Sequence, residues 1–296
     1  MLSKIAFFET DDRPDIAADR ARLLPALRGY LQSFGHDVTV TPAPGGTLGA
    51  CYEADVSGER RFLKAHLPDA SARASLAKEA DILQQLYGST IVLDRCEVPL
   101  EDGTTRLCLM MPLLVPVPAP IPPADAAAMA AAFAERLKDW RPDHLASFER
   151  YLASAEQALK TLSDRGLLER ASAAEVRRLI VLLGDRLPHL PEALCHGDFG
   201  PRNIMLQGTT PRAIDWEDAF RGIAGYDYLY WLTFMENRPY LQTAAFGRTG
   251  LSHDVERAIL VLVVLLKSYL AVLSGAHLTH AVSAQDRIAG ILDLPR

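Results

Sequence analysis

The stretch His196-Gly197-Asp198-Phe199-Gly200-Pro201-Arg202-Asn203, followed by Ile214-Asp215-Trp216-Glu217, decides how this chain folds. It places an Asp, an Asn five residues later and a second Asp twelve residues after that. Acidic and amide side chains at this spacing are typical of phosphoryl-transfer enzymes, because that reaction needs positioning and charge neutralisation more than covalent chemistry. The spacing therefore predicts a phosphoryl-transfer site, and the rest of the chain should fit one architecture.

Each polar residue of this stretch suits one role. Asp198 would accept or orient the proton of an attacking hydroxyl, and His196 would brace the loop rather than transfer protons. Asn203 offers a carbonyl oxygen and Asp215 a carboxylate to Mg²⁺, which favours a sparse set of protein oxygens completed by phosphate oxygens and water. The competing interpretation is a polar loop with no joint role, but a chance match to this pattern is rare at average residue usage.

Two upstream residues fit the same chemistry. Lys64 lies in a predicted strand, and Glu79 lies in a helix predicted over 71–87. A Lys in such a strand is often only an exposed residue. A strand Lys paired with a helix Glu, however, holds the α- and β-phosphates of a nucleotide in kinases. A glycine loop with Gly45 and Gly46 could lay backbone N–H groups over phosphates, or it could be an ordinary turn.

The order of elements predicts an α+β fold with two lobes and a ligand cleft between them. We expect an N-terminal helical extension over 1–35, ending at Gly35, and a small antiparallel sheet with one helix over 36–111. A proline-rich hinge would follow over 112–123, and a mainly helical lobe would cover 124–296. The hairpins of the sheet should turn at Ser57-Gly58 and Asp102-Gly103. The predicted helices of the second lobe cover 124–140, 144–164, 173–187, 254–274 and 279–292.

Composition narrows the function further. The chain has 296 residues, of which 49% are hydrophobic and 23% charged, and its net charge is −6. No basic patch indicates a nucleic-acid or membrane partner. The four scattered cysteines favour reduced thiols in a cytoplasmic protein. The longest apolar run ends at Lys267 and is far shorter than the roughly 20 residues needed to span a bilayer.

Other residues near the motif allow more than one role. Asp227 could cap a helix or clamp the catalytic loop through backbone N–H groups, and either role is structural. Glu217 and Asp218 would suit a cationic acceptor, although solvated surface is the simpler interpretation. Trp231 belongs to an aromatic set that could line a substrate pocket, although helical spacing of aromatics is more often typical of a core.

The motifs HGDFGPRNIML and AIDWEDAF resemble the aminoglycoside phosphotransferase superfamily, which includes choline kinases. The resemblance runs from about Gly45 to Asp227, but Ile223-Ala224 replaces the acidic-Pro pair that the family has there. It implies a bilobal protein-kinase-like fold, Mg²⁺, and ATP or GTP bound at the hinge. The backbone of Met110, Met111 and Leu113 would meet the purine. The family's Lys, Glu, Asp, Asn and Asp correspond to Lys64, Glu79, Asp198, Asn203 and Asp215.

The resulting hypothesis is a nucleotide- and magnesium-dependent kinase of a small hydroxyl compound. An aminoglycoside antibiotic, an amino alcohol or a sugar could be the acceptor, and antibiotic resistance would follow only in the first case. One alternative is a catalytically silent nucleotide-binding regulator, although such proteins usually lack part of the residue set. A protein kinase is a weaker alternative, because only twelve residues separate Asp215 from Asp227. The oligomeric state stays open.

Overall fold

The computed structural model describes residues 16–33, 37–43, 49–142 and 145–295. The chain divides into two compact units. Unit 1 extends to Pro116 and also contains Ile204–Asp218, and unit 2 contains Val117–Asn203 and the chain from Ala219 onward. Unit 1 is built on an antiparallel sheet and unit 2 is mostly helical, so the predicted α+β class is confirmed.

The elements are as follows. The helices are α1 (Ile16–Gln32), α2 (Ala70–Tyr87), α3 (Pro123–Arg136), α4 (Phe148–Asp164), α5 (Arg170–Arg186), α6 (Tyr226–Leu232), α7 (Arg238–Ala244), α8 (His253–Leu273) and α9 (Ala284–Leu292). The strands are β1 (Val38–Pro42), β2 (Gly49–Val56), β3 (Glu59–His66), β4 (Asp94–Pro99), β5 (Thr105–Pro112), β6 (Val115–Pro116), β7 (Ala146–Ser147), β8 (Glu192–Cys195), β9 (Ile204–Gln207), β10 (Thr210–Ala213) and β11 (Phe220–Ile223).

The main sheet of unit 1 has the strand order β1-β2-β3-β5-β4, and every neighbouring pair is antiparallel. Both predicted turns are present. Ser57 and Gly58 connect β2 to β3 with φ angles of 56° and 86°, and Gly103 connects β4 to β5 with a φ of 80°. Glycine adopts a positive φ angle with little conformational strain, so each turn contains a residue suited to it.

Helix α1 packs on this sheet and completes its core. Leu23, Leu27 and Leu31 recur every four residues, and each is buried in a cluster with residues of the strands. A buried ion pair of 3.3 Å between Arg106 of β5 and Asp19 of α1 adds a polar contact. The helical period therefore places one apolar face of α1 on the sheet.

Helix α2 carries Glu79 into the interior of unit 1. The Asp69 carboxylate caps the helix by accepting from the backbone N–H of Ala72, and Gly88 ends it with a φ of 60°. Leu76, Glu79 and Leu83 lie at helical spacing on one buried face. A carboxylate on such a face requires a partner, because burying an unpaired charge is costly.

Unit 2 is arranged around α8, most of whose residues are buried. Helices α4, α5, α6 and α9 all contact it. The guanidinium of Arg257 donates to backbone oxygens at the end of α9, including those of Ile291 and Leu294. These bonds satisfy carbonyls that the end of a helix leaves unpaired. In the part of the chain that the structure describes, no helix is long and apolar enough to span a membrane.

Two features add detail to the sequence predictions, and one predicted feature lies outside the described residues. The proline-rich segment contains β6, which pairs with β9. A separate 3-10 turn at Ala276–Thr279 precedes α9, which begins only after Ser283 because that hydroxyl caps it. The predicted helix end at Gly35 lies outside the described residues.

Candidate active site

In unit 1, Lys64 of β3 is the centre of a charged cluster. Its ammonium nitrogen lies 2.8 Å from Glu79 Oε2, 2.6 Å from Asp215 Oδ1 and 3.0 Å from Glu217 Oε1. The side chains of Lys64, Glu79 and Glu217 are all less than 10% exposed, whereas that of Asp215 is 45% exposed. The structure thus brings together the predicted Lys64, Glu79 and Asp215, and it adds Glu217.

The charges of this cluster do not balance. Burial acts to lower the pKa of Lys64, but the surrounding carboxylates outweigh it and hold that pKa well above its ordinary value. One ammonium cannot neutralise three carboxylates. Burial accordingly raises the pKa of Glu217 to about 8, although Lys64 opposes this and the other carboxylates add to it. The negative charge of Glu217 is therefore less favourable in this cluster than on an exposed glutamate.

The backbone at Asp215 is arranged for this contact. Its φ of 67° is in the left-handed region, which is uncommon for residues other than glycine. Its backbone N–H donates to Glu79 Oε1 at 2.9 Å. Glu79 therefore uses one oxygen on Lys64 and the other on the Asp215 backbone. An observed backbone outlier of this kind often marks a functional position.

In unit 2, the Asp198 carboxylate is fixed at both oxygens. The Tyr230 hydroxyl donates to Oδ1 at 2.7 Å, and Asn203 Nδ2 donates to Oδ2 at 2.9 Å. Asn203 Nδ2 also donates to the Asp198 backbone oxygen at 2.8 Å. Since the amide nitrogen of Asn203 faces Asp198, its carbonyl oxygen is the atom suited to a cation.

The loop that carries Asp198 is held by Asp227. The two carboxylate oxygens of Asp227 accept from the backbone N–H groups of His196 and Gly197, at 2.8 and 3.2 Å. Burial raises the pKa of Asp227, and these hydrogen bonds oppose that rise. Gly197 has a φ of 85°, which explains the glycine between His196 and Asp198. His196 is fully buried, and its Nδ1 accepts from the Asp198 backbone N–H at 3.3 Å.

Sequence reasoning missed one cation of this region. Lys267 Nζ lies 3.6 Å from the ring centroids of both Tyr230 and Phe234. Phe234 in turn closes over Gly200, where an added Cβ would lie 2.5 Å from the ring. Lys267 was visible in the sequence only as the end of an apolar run. A charged residue on an otherwise buried helix is the signal that could have identified it.

The structure also shows the surroundings of the remaining residues that the sequence singled out. Met110 and Met111 are buried in β5, and the Leu113 N–H donates to the backbone oxygen of Arg60. Trp231 is buried and stacks on Tyr228 and Tyr240. Asp218 is partly exposed in the turn that follows Asp215. Gly45 and Gly46 lie outside the described residues.

Comparison with known proteins identifies the family. The model of the phosphotransferase enzyme family, APH, matches residues 39–259, which is most of the chain. The chain belongs to this family. The match confirms the predicted superfamily and the predicted enzyme class, a phosphotransferase of small molecules. None of the curated proteins matches the sequence significantly.

Solved structures show the same fold at low sequence identity. A microcompartment-associated aminopropanol kinase is 17% identical, covering 90% of this chain and 94% of its own, with a TM-score of 0.56. Aminoglycoside 2'-phosphotransferase-IIIa, in its GDP complex, is 15% identical, with coverages of 95% and 97% and a TM-score of 0.57. Choline kinase LicA from Streptococcus pneumoniae is 14% identical, with coverages of 90% and 96% and a TM-score of 0.52. These likenesses confirm the predicted kinase-like fold.

Proposed function

We propose that this protein is an O-phosphotransferase that transfers the γ-phosphate of ATP or GTP to a hydroxyl group of a small molecule, with Mg²⁺. The observation that carries the proposal is the contact of Lys64 with both Glu79 and Asp215. A buried ammonium held by a helix carboxylate is the arrangement that orients nucleotide phosphates in kinases. The family assignment and the solved structures with bound nucleotides support the same activity.

Asp198 is the proposed base. In the transfer, the acceptor oxygen forms a bond to the γ-phosphorus while the bond from that phosphorus to the β-phosphate oxygen breaks. The proton of the hydroxyl passes to the Asp198 carboxylate. Tyr230 and Asn203 fix the orientation of this carboxylate before the acceptor binds. Such preorganisation is a main source of rate enhancement in phosphoryl transfer.

The residues of the site fit a magnesium ion. Carboxylate oxygens of Glu79, Asp215 and Glu217 lie within 4.8 Å of one another, and Mg²⁺ prefers such hard oxygen ligands. Glu217 Oε1 is buried and lies 3.0 Å from the Lys64 ammonium. Asp215 and Glu217 of unit 1 are the proposed ligands. In unit 2, Asn203 offers a carbonyl oxygen that is suited to a cation. When bound, the ion would neutralise charge on the phosphate oxygens.

Replacing Asp198 tests the proposal. Asp198→Asn keeps the shape of the side chain but removes the base, so we expect transfer to fall by about 100- to 10,000-fold. Asp185→Asn, at an exposed position of α5, is the matched control and should retain activity. The measurement is release of nucleoside diphosphate with a panel of hydroxyl compounds. Near-normal transfer by Asp198→Asn would refute the role of Asp198, and nucleotide binding without turnover on any acceptor would favour the regulator.

A further inference from the structure

The aromatic rings next to Asp198 already hold a cation of the chain itself. The Tyr230 hydroxyl donates a hydrogen bond to Asp198, and the face of the same ring covers the Lys267 ammonium. Phe234 covers the ammonium from a second direction at the same distance of 3.6 Å. Pairs of aromatic faces of this kind are what proteins use to bind ammonium ligands. Here an incoming ammonium group would have to compete with Lys267.

The Lys267 ammonium has hydrogen-bonding capacity that the protein does not use. An ammonium group has three N–H donors. One donates to Thr233 Oγ1 at 2.9 Å, and among the described residues Lys267 has no ion pair and no second hydrogen-bond acceptor. Lys267, Tyr230 and Phe234 each keep some exposure to solvent, so a small ligand can reach them. A largely buried cation that forms no ion pair is costly, and an anion in contact with it would relieve that cost.

The charges around Lys267 favour the same type of ligand. Arg287 of α9 donates a hydrogen bond to the Thr233 backbone oxygen at 3.0 Å. It is close enough to Lys267 for its positive charge to lower the pKa of that ammonium group. Burial lowers the pKa of Lys267 well below its ordinary value. The negative charge of Asp198 opposes this shift, Arg287 adds to it, and Glu236 opposes it to a smaller extent. The positive charge of Arg238 in turn adds to the effect of burial in lowering the pKa of Arg287. Unit 2 therefore places Arg287 within electrostatic range of both Lys267 and Arg238.

The two acidic residues that would favour a cationic acceptor, Glu217 and Asp218, each interact with a lysine of the protein. Glu217 is buried in unit 1 and lies against Lys64. Asp218, in the same turn, interacts with Lys78. In the described part of unit 2, Glu236 is the acidic residue besides Asp198 that acts on Lys267, and it is exposed.

From this arrangement we propose that the acceptor of this kinase carries an anionic group, a carboxylate or a phosphoryl group, which Lys267 binds with the support of Arg287. The inference rests on the proposed function, because it names the acceptor class of the same site. The hydroxyl of such a compound is activated by Asp198 while its anionic group accepts hydrogen bonds from the N–H groups of Lys267 that Thr233 does not use. Hydroxy acids and phosphorylated polyols have this chemistry, and aminoglycosides and amino alcohols do not.

The first test compares acceptors by charge. Wild-type protein is assayed with Mg-ATP and Mg-GTP against three sets of hydroxyl compounds: hydroxy acids and polyol phosphates, neutral sugars and polyols, and aminoglycosides and amino alcohols. We expect the highest kcat/KM in the anionic set and a fall of at least tenfold when the best hydroxy acid is replaced by its methyl ester or, for a phosphate, by the free polyol. A cationic or neutral compound as best acceptor would overturn the inference while upholding the proposed function. Turnover with no compound of any set would contradict both.

The second test changes Lys267. In Lys267→Met the charge is lost but the length of the side chain is kept, so KM for the anionic acceptor should rise at least tenfold while KM for its neutral analogue stays within about twofold. Lys160→Met, which removes an exposed cation of α4, should change neither value. Equal loss on both acceptors would show that Lys267 only supports Tyr230 structurally and would overturn the inference. The acid and ester comparison on wild-type protein decides the question even if Lys267→Met does not fold.

Discussion

At Lys64, one ammonium group keeps three carboxylates together, and this makes the residue both a functional candidate and a structural one. Glu79 is nearly completely buried, and its oxygens are used by Lys64 and by the Asp215 backbone. Removing the ammonium would leave Glu79 and Glu217 facing each other without a counter-charge. Breaking a buried ion pair in this way is much more costly than losing an exposed one.

We therefore predict that Lys64→Met lowers the free energy of unfolding by about 3 to 5 kcal/mol. Adding Glu79→Gln to the same protein should restore part of the loss, because one buried negative charge disappears. Arg60→Met on the same strand, where the side chain is 66% exposed, is the control and should cost less than about 1 kcal/mol. Urea denaturation of the four proteins measures these differences. A Lys64→Met variant as stable as Arg60→Met would show that the cluster has no net effect on folding.

Lys267 leads to a prediction about pH. Its pKa is lowered in the folded protein, so between that lowered value and the ordinary lysine value the unfolded chain binds more protons at this position than the folded chain. Stability contributed by Lys267 should then rise as pH increases from its lowered pKa toward the ordinary lysine value. Wild-type protein should gain stability relative to Lys267→Met between pH 7 and pH 9.5. A constant difference across this range, measured by urea denaturation, would contradict the lowered pKa.

The residues of this site that belong to a motif could be predicted from the sequence, whereas Tyr230 and Lys267, which lie outside the motifs, were not assigned a role. Asp198 and Asn203 are five residues apart, and the same loop places them in hydrogen-bonding contact. Tyr230 of α6 contacts Asp198, and Lys267 of α8 contacts the Tyr230 ring, so no local periodicity encodes this arrangement. Glu217 was predicted as a substrate or surface residue because its burial depends on α2, which is far away in sequence.

At the scale of elements, long periodic segments were predictable and short ones were not. Helix α2 and the two hairpins follow from apolar spacing and turn residues, so their bounds agree closely with the prediction. Strand β6 has two residues inside a proline-rich segment, and it pairs with β9. Short strands of this kind are stabilised by their partners and have no local signal.

Helix α1 gives a prediction at this scale. Leu27 is completely buried between the helix and the sheet, so Leu27→Ala should lower the free energy of unfolding by about 2 to 5 kcal/mol. Arg28→Ala, at the adjacent exposed position, should change it by less than about 0.5 kcal/mol. Thermal or urea denaturation compares the two. Equal stability of both variants would show that α1 does not contribute to the core of unit 1.

At the scale of the whole molecule, unit 1 is discontinuous in sequence. Residues Ile204–Asp218 follow the Asp198 loop and join the unit formed by the first part of the chain, where β9 pairs with β6 and Asp215 contacts Lys64. Lys64 and Asp215 are 151 residues apart. A contact of this separation can be anticipated only from a family pattern, because local sequence preferences act over a few residues.

The division of residues between the units predicts how nucleotide should affect stability. A ligand that binds only the folded protein stabilises it by about 2.7 kcal/mol at 100 times its dissociation constant. If Lys64 orients the nucleotide phosphates, Mg-ATP or Mg-GTP should raise the denaturation midpoint of wild-type protein and of Asp198→Asn equally. It should raise that of Lys64→Met much less, and chelation of Mg²⁺ should reduce the effect in wild-type protein. If Lys64→Met showed the same midpoint shift as wild-type protein, Lys64 would not be part of the nucleotide site. If Asp198→Asn lost the shift, Asp198 would act in nucleotide binding rather than on the acceptor hydroxyl.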